Sequence, residues 1–390
     1  MLKNFTALIP VAITSVASFS ALGSDNETVW KNYQNPTSLI SEKEIGGHEE
    51  LVCALSNDLA EIKSVLASEK SKYRHLDNSV LYGILASRKA IEKAGWTSND
   101  VFGINIGSSR GATSLFEKHH KEFIETGKTS TQSSPSTTLG NISSWIAQDL
   151  KSKGPEISHS ITCSTALHAI LNGIVWINSG MTDKFLAGGS EAPLTPFTLA
   201  QMKAMKIYAS TRSEYPCRSF DLQKTENTMV LGEGAAVLCL EKEAPKNALG
   251  YITGFGYATE TITHGSSISE EAESMQKAMK MALQNTHTHE IDAIVMHAPG
   301  TIKGDLSEFR AIEKIFGKHL PLLTSNKWKI GHTFGASGAL SIELALLMLQ
   351  NQEFIKIPFV STEKANKPLQ KILINAVGFG GNAVSILIEK

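Results

Sequence analysis

Apolar segments of strand length alternate with segments of helical periodicity along most of the chain. In the first half, apolar residues recurring at helical spacing predict helices, and short apolar runs bounded by turn residues predict buried strands. The predicted helices span 79–94, 142–151 and 165–178, and the predicted strands span 101–106, 157–162 and 184–187. This alternation favours an α/β fold with helices layered around a largely parallel sheet.

The second half repeats this pattern. It contains a hairpin-like pair of strands at 228–241 and 250–259, helices at 269–284, 305–316 and 338–349, a strand at 291–296, and a terminal strand pair at 371–376 and 383–388. Because no Pro-rich, Gly-rich or charged tract is long enough to form a linker, we expect one compact body. The polar stretch 128–137 is predicted to be a surface loop, either near a functional site or a plain connector.

The composition is that of an ordinary globular protein. Of 390 residues, 42% are hydrophobic and 19% are charged, and 37 Lys and Arg balance 38 Asp and Glu. A dedicated nucleic-acid-binding protein is expected to be more basic. The four cysteines are widely spaced and form no CxxC pair, so we expect a reduced, cytoplasmic setting and neither a zinc ribbon nor a disulfide scaffold.

The apolar residues 5–22, preceded by Lys3, have some features of a short signal peptide. Pro10 and several hydroxyl residues interrupt this stretch, which is too broken to span a bilayer. We therefore expect a first core strand at 11–16, followed by a helix-like segment at 26–32, and no membrane association.

Cys163 lies between a predicted strand and a helix with apolar residues at helical spacing. At such a turn, unpaired backbone N–H groups and the helix macrodipole favour a thiolate, so we expect a lowered pKa and a nucleophilic thiol. The alternative is a small buried hydrophobic residue, which is also our interpretation of Cys53, Cys217 and Cys239.

Two histidines are candidates for contact with a ligand. His297 directly follows an apolar strand and opens the loop HAPGTIKGD, and His332 lies in the Gly- and Ala-rich turn KWKIGHTFGASGA. Asp305 and Glu308 have the spacing of a capping box, so helix capping is the competing interpretation of both. A metal site formed by the cysteine and the histidines is a weaker alternative, because no close pair of ligands is present.

Four segments carry a resemblance to a known family. In their order along the chain, ITCSTALHA, HAPGTIKGDLSE, NKWKIGHTFGASGA and NAVGFGGNA resemble the β-ketoacyl-[acyl carrier protein] synthases, the thiolase-like condensing enzymes of fatty acid and polyketide synthesis. The segments VAITSVASFSALGSDNETVW and PCRSFDLQKTENTMVLGEGAAVLCLE resemble the same family, so the resemblance covers essentially the whole chain. It implies a thiolase-like α/β fold with duplicated αβαβα halves, residues 1–243 and 244–390.

The resemblance also implies residue roles. Cys163 would be the acyl-accepting nucleophile, and His297 and His332 would be the histidine pair beside it. Lys327 matches the lysine of the family, and Glu308 matches the acidic residue of its supporting network.

The segment GFGG matches the gating loop of the family. Phe379 falls at the gating position, and its backbone N–H would pair with that of Cys163 as an oxyanion hole. Gly380 in this loop and Thr301 in the HAPGT segment are expected to contact the substrate.

The implied reaction is a decarboxylative Claisen condensation of a malonyl group with an acyl group on Cys163, and it requires no metal or dissociable redox cofactor. The resemblance implies acyl carrier protein as the partner that carries both substrates, and a homodimer, with a heterodimer containing a related subunit as the alternative. Two other functions compete: a non-catalytic chain-length-factor-type subunit, which usually lacks the cysteine, and an acyl-CoA thiolase, for which the His, His and Lys spacing fits less well.

The chain departs from the family pattern at three places, of which Arg110 bears on substrate choice. HAPGT replaces the usual HGTGT, and GFGGN is shortened from GFGGTN. Arg110, in GSSRGA, matches a usually apolar position near the far end of the acyl tunnel. Because a charged group there disfavours a plain alkyl tail, we expect short, unsaturated or polar-ended acyl chains, as in polyene, aryl-polyene or polyketide-like synthesis. The alternative is that Arg110 pairs with a carboxylate at a subunit contact.

Carrier proteins are acidic, so the enzyme should present a basic docking patch. Two clusters are candidates: Lys70, Lys72 and Arg74, and Lys203, Lys206 and Arg212. The alternative for each cluster is an ordinary solvated face.

Overall fold

The chain folds into two halves with the same strand topology. The computed structural model describes residues 9–138, 141–242, 245, 247–261, 269–361 and 367–390. The elements of the first half are β1 (Val11–Ser20), α1 (Asn26–Gln34), β2 (Ser41–Ile45), β3 (His48–Cys53), α2 (Asn57–Glu69), α3 (Asn78–Ala94), β4 (Gly103–Gly107), α4 (Thr113–Thr126), α5 (Ser133–Thr137), α6 (Asn141–Leu150), β5 (Glu156–Ile157), α7 (Thr165–Asn178), β6 (Lys184–Glu191), α8 (Pro196–Ala204), β7 (Leu231–Gly232) and β8 (Gly234–Glu241). Those of the second half are β9 (Gly250–Thr259), α9 (Glu273–Ala282), β10 (Ala293–Val295), α10 (Ile302–Phe316), β11 (Leu322–Thr324), α11 (Lys327–Ile330), α12 (Ser337–Asn351), β12 (Lys371–Gly378) and β13 (Asn382–Glu389).

The main sheet has the order β11-β10-β12-β13-β9-β1-β8-β6-β4-β5. Each half contributes five strands, and the two groups pair in the same way. The first strand of each half pairs antiparallel with the fifth, and the fifth pairs antiparallel with the fourth. The fourth strand pairs parallel with the second, and the second pairs parallel with the third. A short antiparallel pairing of β1 with β9 joins the halves. This duplication is the one expected for a thiolase-like fold.

The helices complete a layered arrangement. Helices α7 and α12 lie in one core cluster with strands of both halves, so they form the central layer. Helices α3 and α6 cover the outer face of the first half, and α9 and α10 cover that of the second. The apolar residues of α12 are buried nearly all round, as expected for a helix between two sheets.

Two expectations about the sheet are wrong. Strands β8 and β9 do not form a hairpin, because β1 lies between them and pairs with both. The sheet is mixed and not largely parallel. Only three residues connect β12 to β13, too few for the crossover that parallel strands require, so this pair must be antiparallel. The apolar pattern of a buried strand does not record its direction.

Several element boundaries also differ from the sequence-based prediction. The strand expected at 157–162 is only Glu156–Ile157, because the chain leaves the sheet there and turns at Thr162, whose φ is 47°. The loop expected at 128–137 contains α5. The first core strand is confirmed and is longer than expected. Residues 243 and 244, at the expected boundary between the halves, lie outside the described residues, and the division there stays a prediction. Across the described ranges, no helix is both long and apolar enough to cross a membrane.

Candidate active site

Cys163 lies two residues before α7, as the sequence predicts. Its side chain is buried and packs with apolar residues of several elements, among them Met202 and Phe334. The preceding residue, Thr162, has a φ of 47°, a conformation that costs a non-glycine residue energy. This turn holds the thiol inside the protein at the N-terminal end of a long buried helix.

The expected lowering of the Cys163 pKa is wrong. Burial raises the pKa of this thiol to about 12, and the positive charges of Lys327 and Arg110 offset only part of the rise. The helix N-terminus is too weak to compensate, because full desolvation shifts a pKa more than a helix dipole does. The resting thiol is therefore protonated at neutral pH.

The two predicted histidines lie side by side. Their ring centroids are 5.3 Å apart and the ring planes are nearly perpendicular, at 84°. His297 follows β10, and His332 lies between α11 and α12. Burial lowers the pKa of each ring well below its ordinary value, and the charge of Lys327 lowers both further. Both imidazoles are therefore neutral at physiological pH.

The hydrogen bonds of the two rings leave donors for a ligand. His332 Nδ1 lies 3.0 Å from the hydroxyl of Ser337. His297 Nδ1 is buried and has no hydrogen-bond partner in the described part of the chain. A buried polar atom without a partner is uncommon in a native protein, and this one belongs to a ring that packs against the second histidine.

Glu308 supports the loop of His297. Its carboxylate accepts the backbone N–H groups of His297 at 2.9 Å and of Ala298 at 2.7 Å. The amide of Asn375 also lies 3.3 Å from this carboxylate. Burial raises the Glu308 pKa, and the hydrogen bonds and the charge of Lys327 oppose the rise.

The capping-box interpretation of Asp305 and Glu308 is wrong. Helix α10 begins at Ile302, and its N-cap is Thr301, whose hydroxyl accepts the N–H of Gly304 at 3.2 Å. Asp305 lies in the first turn of the helix and accepts the N–H of Gly300 at 3.0 Å. The sequence places the helix start three residues too late because Gly304 resembles a loop residue. For Thr301, contact with substrate stays a prediction.

Asp305 and Lys224 form a buried ion pair behind this loop. The Lys224 Nζ lies 2.7 Å from Asp305 Oδ2, and both side chains are almost fully buried. Asp305 also accepts the N–H of Phe220 at 2.8 Å. It therefore fixes the loop that starts at His297 against the segment before β7.

Lys327 is the first residue of α11 and is buried. Burial lowers its pKa, and the carboxylate of Glu308 opposes the shift. The Lys327 charge acts on Cys163, His297 and His332 alike, so these residues belong to one electrostatic unit.

Phe379 lies in the short turn between β12 and β13, and its side chain is 37% exposed. The Phe379 carbonyl accepts the hydroxyl of Thr162 at 3.3 Å and the amide of Asn382 at 3.0 Å. Ser164 donates to the Asn382 side chain. Both residues flanking Cys163 are thus tied to this turn.

The glycines of the turn permit this approach. A Cβ on Gly378 would lie 2.0 Å from Thr162 Oγ1, so only glycine fits. Gly380, the predicted substrate contact, has a φ of 96°, which favours glycine. Its contact with substrate, and the oxyanion hole of Cys163 and Phe379, stay predictions.

Arg110 lies near this site and does not form a salt bridge within the described ranges. Its Nη2 donates to Gln201 and lies 3.3 Å from the hydroxyl of Thr198, both on α8. Its guanidinium carbon is 5.9 Å from the ring centroid of Phe334.

Glu191 is a site residue that the sequence analysis missed. This buried carboxylate ends β6 and accepts backbone N–H groups of Ser109 at 2.7 Å, Arg110 at 3.0 Å and Gly335 at 2.8 Å. It holds the Arg110 loop against the turn after His332. The sequence contains a signal for Glu191, because an acidic residue at the end of an apolar, Gly-containing strand (KFLAGGSE) is unusual in a protein core.

The two candidate docking patches differ in their ion pairs. Lys203 lies 2.5 Å from Glu50, and Arg212 pairs with Glu42 and Glu49, so carboxylates of the β2–β3 hairpin neutralise much of this patch. In the other patch Lys70 pairs with Asp149 at 3.5 Å. Lys72 and Arg74 of that patch are exposed and form no salt bridge within the described ranges.

The arrangement suits chemistry on a carbonyl group. It brings together a buried thiol, two neutral imidazoles and a buried lysine supported by a carboxylate. Neutral imidazole N–H groups can stabilise an oxyanion that develops in a dry site. Among the described residues, no group of three or more His, Cys, Asp or Glu side chains could hold a metal ion, and the independence from cofactors stays a prediction.

Comparisons with known proteins agree with the resemblance. Residues 9–246 match the family described as "Beta-ketoacyl synthase, N-terminal domain", and residues 249–358 match "Beta-ketoacyl synthase, C-terminal domain". A 3-oxoacyl-[acyl-carrier-protein] synthase 2 of Staphylococcus aureus (strain MRSA252) is 27% identical over 411 residues, covering 98% of each chain.

Solved structures show the same fold. The ketosynthase assembly of a type II polyketide synthase, in complex with its acyl carrier protein and bound to the hexaketide, gives a TM-score of 0.84 at 19% identity, covering 97% of this chain and 99% of that one. A ketosynthase in complex with its chain length factor from Xenorhabdus doucetiae gives a TM-score of 0.77 at 20% identity, covering both chains completely. These likenesses confirm the thiolase-like fold predicted from the sequence.

Proposed function

Since the chain belongs to the β-ketoacyl synthase family, we propose that it condenses a malonyl group, carried by an acyl carrier protein, with an acyl group held on Cys163. The observation that carries this proposal is the pair of buried, neutral imidazoles, 5.3 Å apart, in one electrostatic unit with the thiol. The family match supports the reaction class, and the named residues are our assignment.

In the first half-reaction, Cys163 Sγ attacks the thioester carbonyl of the acyl carrier. The S–H proton leaves with the phosphopantetheine thiol, and an acyl-enzyme remains. The pKa of about 12 means that the thiolate forms only as the reaction proceeds. Lys327 and the amides of the Phe379 turn favour the negative charge that develops.

In the second half-reaction, the malonyl carboxylate leaves as CO2, and its electron pair forms the enolate of the carrier thioester. N–H groups of His297 and His332 stabilise the enolate oxygen. The enolate carbon then attacks the acyl carbonyl, the bond to Cys163 breaks, and the thiolate takes up a proton. The product is a β-ketoacyl carrier two carbons longer.

Intact-protein mass spectrometry tests the proposal directly. The purified protein is incubated with hexanoyl and malonyl carrier proteins beside a Cys163→Ala control. We expect an acyl adduct and a β-ketoacyl product with the wild type only. An adduct with acyl-CoA followed by thiolysis, without use of malonyl carrier, would indicate a thiolase instead.

We propose that acyl carrier protein docks at Lys72 and Arg74, since the alternative patch is largely neutralised by the β2–β3 hairpin. Reversal of both charges should raise the KM for the carrier-bound substrate several-fold at low salt, and less at high salt. Reversal of Lys203 is the matched comparison. A larger effect there would place docking at α8.

We propose a dimer built on the exposed face of α4 and the edge strand β5. Phe116, Phe123 and Ile124 of α4 are each more than half exposed and share one helix face. Strand β5 ends the main sheet and leaves its outer edge unpaired within the described part of the chain. A second copy is the expected partner, and the Xenorhabdus complex supports a related subunit as the alternative.

Sedimentation of the protein alone distinguishes the two partners. A stable dimer of wild type that dissociates in Phe123→Glu supports the homodimer. A monomer that lacks condensation activity points to a missing subunit. A chain-length-factor role for this chain would require that no Cys163 adduct forms with any carrier-bound acyl group, with or without a partner.

We propose that the enzyme serves a specialised pathway, of polyene, aryl-polyene or polyketide-like type, and not the elongation of long saturated chains. The support is the half-buried charge of Arg110 close to the reactive centre.

A further inference from the structure

The surroundings of Arg110 contain hydrogen-bond acceptors but no paired carboxylate. Its Nη2 donates to the side-chain oxygens of Thr198 and Gln201. A guanidinium has five N–H donors, and the groups on Nε and Nη1 have no acceptor within the described ranges. Part of the donor fork is therefore available to a ligand.

The charge of Arg110 is also left uncompensated at short range. Glu191 and Glu117 act on it only through space. Glu191 is fully engaged, because it accepts backbone N–H groups, including that of Arg110 itself, and the hydroxyl of Ser108. A half-buried cation without a hydrogen-bonded anion is costly, and a ligand that carries a carboxylate would remove that cost.

The position of Arg110 connects it to the reactive centre. Its guanidinium lies over the ring of Phe334, and the Phe334 ring centroid is 5.2 Å from that of His332. Phe334 also packs in the same buried cluster as Cys163. One aromatic ring thus separates the guanidinium from the catalytic histidine, and the Arg110 charge is close enough to act on the Cys163 thiol.

We infer that Arg110, Thr198 and Gln201 form a subsite for an oxygen-bearing group, best a carboxylate, at the far end of the acyl chain. This inference rests on the proposed function and narrows it. A planar guanidinium binds a carboxylate through two parallel hydrogen bonds and a keto or phenolic oxygen through one. A methyl-ended polyene offers no acceptor, so the subsite selects for oxygen and not for unsaturation.

The test compares three acyl chains of equal length on one carrier protein: a saturated methyl-ended chain, a conjugated methyl-ended chain and a chain ending in a carboxylate. The rate of Cys163 acylation is measured for wild type, Arg110→Met and Arg110→Lys. Wild type should prefer the carboxylate-ended chain at least tenfold. Arg110→Met should lose this preference by about tenfold to a hundredfold, the range of charge-assisted hydrogen bonds.

Two controls separate selectivity from folding. Arg310→Met removes a partly exposed arginine of α10 whose ion pair within the described ranges is with Glu270, and it should leave the preference unchanged. Arg110→Lys keeps the charge but loses the fork, so it should retain a weaker preference for the carboxylate. If urea unfolding shows that Arg110→Met is destabilised, Arg110→Lys still tests the subsite.

The possible outcomes have different meanings. Equal acylation by all three chains, or a preference for the conjugated methyl-ended chain, overturns the subsite and leaves the proposed function standing. Loss of the dimer in Arg110→Met, with unchanged chain preference, shows that Arg110 pairs with a second copy and also overturns it. The absence of any adduct with every chain overturns the proposed function and this inference together.

Discussion

Replacing Glu308 by glutamine tests how the structure supports His297. The carboxylate accepts two backbone N–H groups, one on each oxygen, at 2.9 and 2.7 Å. Glutamine has only one oxygen, and its NH2 group would face the second N–H donor. Glu308 is 1% exposed, so water does not replace the lost acceptor.

The expected loss of stability is that caused by one buried N–H donor left without an acceptor. Such a group costs about 1–3 kcal/mol, and the remaining hydrogen bond loses its charge assistance. We therefore expect Glu308→Gln to lower the free energy of unfolding by about 1–3 kcal/mol. Because both bonds hold the loop that begins at His297, the loss of either should slow condensation by at least about tenfold, while acylation of Cys163 should slow less.

Two assays check these values. Urea unfolding followed by circular dichroism gives the stability, and mass spectrometry gives the acylation and condensation rates separately. The matched control is Glu313→Gln, an exposed glutamate on the same helix, which should change stability by less than about 0.5 kcal/mol. The reasoning is refuted if the two variants are equally stable and condense at equal rates.

Three further predictions concern pH and packing. The rate of iodoacetamide labelling of Cys163 should rise about tenfold per pH unit from pH 7 to 9, because the Cys163 pKa of about 12 lies above this range. Peptide mass spectrometry measures the rate, and a plateau near pH 8 would contradict the prediction. Burial raises the pKa of Glu343 to about 7, so the folded state binds more protons than the unfolded state between about pH 4.5 and 7, and stability falls as the pH rises. In Glu343→Gln this fall in the free energy of unfolding should be smaller by up to about 3 kcal/mol. Urea unfolding at several pH values measures it, and an equal dependence on pH in wild type and variant would contradict the prediction. Gly378→Ala should destabilise the protein by about 1–3 kcal/mol and slow the acylation of Cys163, because the new Cβ would overlap Thr162 Oγ1. An unchanged melting temperature and acylation rate would show that the turn tolerates the methyl group.

The sequence predicts the fold class and most of the helices correctly, because their apolar faces recur at regular spacing. It does not predict strand direction, which depends on connections and not on apolar character. The position of β1 between β8 and β9 depends on pairing across more than 200 residues, and no local pattern encodes it.

At the active site, too, the sequence predicts local features and misses those that depend on long-range packing. The placement of Cys163 before α7 follows from the local pattern, whereas the approach of His297 to His332 depends on the packing of β10 against α12. The pKa of Cys163 was expected to fall because the helix dipole is visible in the sequence and the depth of burial is not. Glu191 was missed because its partners, Ser109 and Gly335, lie far away along the chain.

The location of β1 has a consequence for synthesis of the protein. Strand β1 is translated well before its partners, because Ala12 pairs with Glu241 and Tyr251, which lie more than 200 residues later in the chain. At 5–20 residues per second, its partners appear roughly 10 to 45 s afterwards. During that interval the nascent chain exposes an apolar, unpaired strand, the kind of surface that chaperones bind. We therefore expect the first half, expressed without β9, to aggregate, since the junction edge of β1 would stay open.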